Sequence, residues 1–116
     1  MTATFQCITI NDLPEYTFIG GTEQIFTFLV YNDVGLPVAL TGATCTWKMS
    51  YYGMNSAALT KTGVVSGSVT NQYDVKLLAS DTSGSFGKFV HQPVIVISGS
   101  TIRPNQGILT IISGII

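Results

Sequence analysis

A chain of 116 residues with 46% apolar side chains, only 9% charged ones and a net charge of −1 is sized for one domain around one core. Its five basic residues, Lys48, Lys61, Lys76, Lys88 and Arg103, are scattered along the sequence, which argues against the basic stripe that neutralises nucleic-acid phosphates. No apolar run approaches the ~20 residues that cross a bilayer as a helix, and the closing "ILTIISGII" is short and broken by Ser113-Gly114.

The opening "TFQCITI" (4–10) is the first β-rich run. In "QIFTFLVY" (24–31), Phe26, Phe28 and Val30 fall on one face. The turn residues Asn32-Asp33-Val34-Gly35 and Pro37 follow. Leu40 is placed to plug the core, and Gly42 to bend the chain into the next strand. Residues 43–51 put Ala43, Cys45, Trp47, Met49 and Tyr51 on one face and Thr44, Thr46, Lys48 and Ser50 on the other. The segment 52–71 reads as a short strand and a hairpin around Gly63. In 72–78, Tyr73, Val75 and Leu77 alternate with polar residues, and a helical turn is expected near 78–82, with Asp81 accepting backbone N–H groups. "FGKFVHQPVIVIS" (86–98) and "GILTIIS" (107–113) are the last β-rich runs. Pro93 within the former implies an edge or a bulge, since proline cannot donate to a ladder.

Period-2 alternation with one polar face is the pattern of half-buried antiparallel strands. About seven of them separated by Ser/Gly-rich turns predict an all-β sandwich or small barrel, one domain over residues 1–116. The expected core is Phe26, Phe28, Val30, Cys45, Trp47, Val75, Leu77 and Phe89.

Few side chains suggest chemistry. His91, with Asp81 and Ser83 near it in sequence, is the one candidate general base, but such residues act only through geometry, and a half-exposed strand histidine is the expected reading. Cys7 and Cys45 allow a disulfide, although small buried thiols suit them better. Too few Cys and His are present for a metal site. No phosphate-binding glycine loop or close carboxylate pair is evident. No catalytic, metal-binding or cofactor-binding residue is therefore assigned, and no cofactor is expected. Low charge and a mean hydropathy of +0.42 point instead to a surface covered by neighbouring chains, because a small domain relies on charge to stay dispersed. The candidate interface is Tyr51, Tyr52 and Met54 around Gly53, together with Ile115 and Ile116 of the apolar tail. Exposed aromatic residues of this kind also allow a glycan-stacking platform.

"FTFLVYNDVGLPVALTGATCTWKM" resembles a pattern of immunoglobulin-like domains in tailed-phage structural proteins: a strand, a D-x-G-x-P-V turn, then L-T-G-A-T leading into an alternating strand. "VKLLASDTSGSFGKFVHQPVIVISGSTIRPNQGILTI" is similar to their D-T…G-x-F corner followed by a strand, a hairpin and a closing G-x-L-T-I strand. The resemblance spans about residues 22 to 112. It implies an immunoglobulin-like antiparallel β-sandwich in a non-enzymatic virion protein, made in the host cytoplasm. Such a subunit decorates the capsid or serves at a fibre base, neck, tail or baseplate. Its partners would be other virion proteins and further copies of itself, with no nucleic acid or membrane. A free-standing carbohydrate-binding or adhesion module is the alternative. The sequence departs from antibody-type domains, in which a Cys precedes Trp by a whole strand and a second Cys follows; here Cys45 lies beside Trp47 and no cysteine follows.

Overall fold

Alternation along the chain is realised as two β-sheets packed face to face. The computed structural model describes residues 2–8, 13–32, 34–54, 57–97, 99–102 and 106–113. In chain order the elements are β1 (Thr2–Ile8), β2 (Leu13–Ile19), β3 (Gln24–Tyr31), β4 (Thr44–Tyr51), β5 (Leu59–Thr62), β6 (Val64–Val65), β7 (Gln72–Leu77), α1 (Ala79–Thr82), β8 (Gly87–Ile97), β9 (Ser100–Ile102) and β10 (Gly107–Ile112). One sheet has the order β1-β3-β7-β6, the other β2-β10-β8-β4-β5, with β9 paired to β8. Read as A-B-E-D and G-F-C, these are the strand orders of an immunoglobulin-like sandwich.

Along β3, β4, β7 and β8, alternate positions turn inward. Phe26, Phe28 and Val30 of β3, Cys45 and Trp47 of β4, Val75 and Leu77 of β7 and Phe89 of β8 are all buried, as the alternation predicts. Full burial of each large apolar side chain is worth about 1.5–3 kcal/mol. Leu40 is also fully buried, in the β3–β4 connection. That connection is shaped by Asn32, whose Oδ1 accepts the N–H groups of Val34 and Leu36, and by Gly35 and Gly42, both at positive φ.

The sandwich departs from the expected pattern in four places. The sheets are mixed: β1 runs parallel to β3, and β2 parallel to β10. Alternation tells which residues face inward but carries no information on the direction of the neighbouring strand. Strand β2 has no counterpart in the pattern, because Leu13 to Tyr16 opposes Gly107 to Leu109 with one extra residue. This bulge breaks the period-2 signal.

Gly63 does not turn a hairpin. Strands β5 and β6 on either side of it belong to different sheets, pairing β4 and β7. The chain crosses the sandwich there, and a Cβ on Gly63 would overlap the Tyr73 ring. Pro93 lies in the interior strand β8 opposite Trp47, neither at an edge nor in a bulge. Its missing N–H falls where β8 changes partners, between the last β10 pair at His91 and the first β9 pair at Ile95. The helical turn forms at α1, and Asp81 accepts the Leu78 N–H at 2.8 Å.

Candidate functional site

His91 occupies the centre of the core. Only 1% of it is exposed, so the half-exposed strand histidine is corrected to a buried one. It shares the inward parity of Phe89 on β8, and its Nδ1 accepts the Trp47 indole N–H at 3.0 Å. An accepting Nδ1 is bare, which leaves the ring proton on Nε2. That atom has no hydrogen-bond partner among the described residues. Burial pushes the His91 pKa down to about 3, since the charged form would lie among the rings of Phe5, Phe26, Phe28 and Trp47.

The groups near His91 in sequence are engaged elsewhere. Asp81 accepts from Lys61 Nζ at 3.0 Å. Burial raises its pKa, but the Lys61 hydrogen bond, the Leu78 N–H and the Lys61 charge outweigh that and hold it below its ordinary value. The Ser83 hydroxyl donates to the Ser80 carbonyl. Cys45 is a free, buried thiol, pushed up to about 11 by burial. The side chain of Cys7 lies outside the described residues, so the disulfide question rests on Cys45 alone.

The distinctive surface is at one end of the sandwich. The β2–β3 turn, the β4–β5 turn, the β7–β8 connection and the last residue of β10 all meet there. Of the twelve large apolar side chains left exposed among the described residues, seven are at this end: Ile19, Tyr51, Tyr52, Met54, Leu78, Phe86 and Ile112. They arise from a local rule. Strands β2, β4, β7 and β10 each finish on an apolar doublet: Phe18-Ile19, Tyr51-Tyr52, Leu77-Leu78 and Ile111-Ile112. In three of the four, the first member is buried and the second is 44–45% exposed. Period 2 forces consecutive side chains to opposite faces, so the second apolar residue has nowhere inside to go.

Two of the doublets lie side by side. Ile19 and Ile112 are register partners, and Gly20 N–H donates to the Ile112 carbonyl at 2.9 Å. A Cβ on Gly20 would touch Phe86 and Ile111, so glycine lets these pieces close together. Tyr52 N–H donates to the Lys88 carbonyl, and the Lys88 ammonium lies 4.3 Å over the Tyr52 ring. Two depressions, of about 190 and 380 Å³, share Val90 and Gln106 as walls; Met54 lines the first, and Tyr52, with Glu15, lines the second.

The candidate interface is thus brought together only in part. Tyr52 and Met54 border these depressions, whereas Tyr51 packs on Phe89 with ring centroids 4.7 Å apart. Ile115 and Ile116 lie outside the described residues. Ile19, Leu78, Phe86 and Ile112 were missed by the sequence reading, although the doublets at strand ends are the signal that finds three of them. Phe86 has no such signal, and only the path of the β7–β8 connection places it here.

Among the described residues, no group of three or more His, Cys, Asp or Glu side chains is placed to hold a metal ion. No described helix is long and apolar enough to cross a membrane. No protein-family model matches the chain, and no curated protein matches its sequence.

Proposed function

We propose that this chain is a non-enzymatic structural protein of a tailed-bacteriophage particle, docking on the capsid, neck or tail as a decoration, fibre-base or adaptor subunit. The observation that carries the docking role is the gathering of seven exposed apolar side chains at one end of the sandwich. Apolar side chains concentrated at one end in this way favour protein–protein contact there. The assignment to a phage particle draws on the resemblance of residues 22 to 112 to phage immunoglobulin-like domains. The test is co-sedimentation of the purified protein with phage particles assembled without it. Saturable retention, lost in a Tyr52→Lys, Phe86→Lys double variant, supports the reading. A protein that stays in the supernatant at every ratio contradicts it.

A carbohydrate-binding module is favoured by one observation. The 380 Å³ depression combines an aromatic wall, Tyr52, with the hydrogen-bonding groups of Glu15 and Gln106. That reading predicts glycan-array binding that Tyr52→Ala abolishes, and an array without hits removes it.

A further inference from the structure

We infer that the apolar end is a self-association surface on which a second copy of this chain docks about a two-fold axis. The inference rests on the structural-subunit reading above and names the partner of its docking end.

The arrangement is a row rather than a scatter. Strands β2, β10, β8 and β4 are consecutive neighbours in the larger sheet, and they, or the residues next to them, deliver Ile19, Ile112, Phe86 and Tyr52. With strands about 4.8 Å apart, the row runs roughly 15 Å. Met54 extends it beyond β4, and Leu78 adds to it from the other sheet. The seven side chains are 44–61% exposed. At on the order of 200 Å² each when fully open, they leave roughly 700 Å² uncovered. The largest apolar patch of a typical monomer is about 300–600 Å², and each partner of a standard interface contributes about 800 Å². Summed over the ends of both sheets, the seven side chains come close to one partner's share of a stable dimer interface.

Its charges select the occupant. Around this end Lys76 pairs with Glu23 at 3.7 Å, and Lys61 with Asp81 at 3.0 Å. Lys88 caps the Tyr52 ring. Besides Lys88, the charges bordering Met54 and Tyr52 are Lys48 and Glu15, of opposite sign; the rest is apolar, and the same end of a second copy is such a surface. The net charge of −1 sets little repulsion between copies. The opposite end offers less, because its most exposed apolar residues, Val34 at 78% and Leu36 at 60%, sit on one turn held by Asn32. Like end on like end is an isologous contact, which closes as a dimer.

Size-exclusion chromatography with light scattering over a wide concentration range tests this. The wild-type protein is expected at twice the 12.4 kDa of the chain. Tyr52→Lys and Phe86→Lys are each expected to weaken association by at least about tenfold, with a cooperative urea transition, measured at concentrations where the wild type is monomeric, showing that they fold. Met54→Lys serves if either does not fold. A Val34→Lys, Leu36→Lys control at the far end should remain dimeric. A wild-type protein that stays at 12.4 kDa throughout overturns the inference, as does a dimer dissolved by the far-end control. If the wild-type protein is monomeric and Tyr52→Lys, Phe86→Lys still abolishes particle co-sedimentation, self-docking fails and the structural reading stands. If the wild-type protein is monomeric and the double variant binds particles like the wild type, both fail.

Discussion

Trp47 and Tyr52 belong to the same short stretch of chain, yet one is fully buried and the other 57% exposed. Around Trp47 the two sheets close completely. Phe26 packs edge-on against it with centroids 5.6 Å apart, and its one polar atom is satisfied by His91. Around Tyr52 the strands have run out, and the aromatic and aliphatic side chains face solvent. The same residue types thus do two jobs, set by whether an opposing sheet is present. The centre supplies stability, whereas the end, on the proposed reading, supplies contact surface at little cost to the fold. Substitutions at the two places should therefore separate cleanly.

The largest effect is expected at the centre. Phe26→Ala removes a fully buried ring that touches Phe5, Tyr16, Phe18 and Trp47, and should cost about 3–5 kcal/mol in urea unfolding followed by Trp47 fluorescence. Next is the pH dependence of stability. The folded-state pKa of His91, about 3, lies below the ordinary 6.5 or so, so the unfolded chain takes up the proton first. Stability is complete above about pH 6.5 and falls as the pH drops towards about 3, by up to roughly 1.4 kcal/mol per unit. Asp81, held below its ordinary value, does not titrate in the upper part of that window. His91→Leu should flatten the profile between about pH 6.5 and 5, and an unchanged slope would show that the histidine is not its source.

A smaller loss, about 1–3 kcal/mol, is expected for Gly63→Ala, because the new methyl group meets the Tyr73 ring. Smallest is Tyr52→Lys, expected within about 0.5 kcal/mol of wild type in stability at concentrations where the wild type is monomeric, while association weakens by at least about tenfold. A Tyr52→Lys protein that unfolds as readily as Phe26→Ala would erase the distinction between the two regions.

Much of this division is legible in the sequence. The inward parity of Phe26, Phe28, Val30, Cys45, Trp47, Val75, Leu77 and Phe89 follows from alternation alone, and all are buried. His91 shares that parity, but its polarity suggested an exposed site. Its acceptor role toward Trp47 depends on register, since Met49 is its direct partner on β4 and Trp47 a diagonal neighbour. Register is a tertiary property that one strand's sequence does not carry. Strand β2 was hidden by its bulge and the crossing at Gly63 by its glycine, which reads equally well as a turn. The apolar end was half visible: Tyr52 and Met54 stood out as exposed aromatic and sulfur side chains. Ile112 looked like strand interior, Leu78 stood where a strand gives way to the expected helical turn, and Ile19 lay in no expected strand.

Side-chain oxidative footprinting of the purified protein, at low and at high concentration, tests self-docking through the apolar end most directly. Met54, 61% exposed in the single chain, and Phe86 should lose reactivity as concentration rises, while Leu36 at the opposite end keeps its own. Equal labelling of Met54 and Phe86 at both concentrations would contradict it.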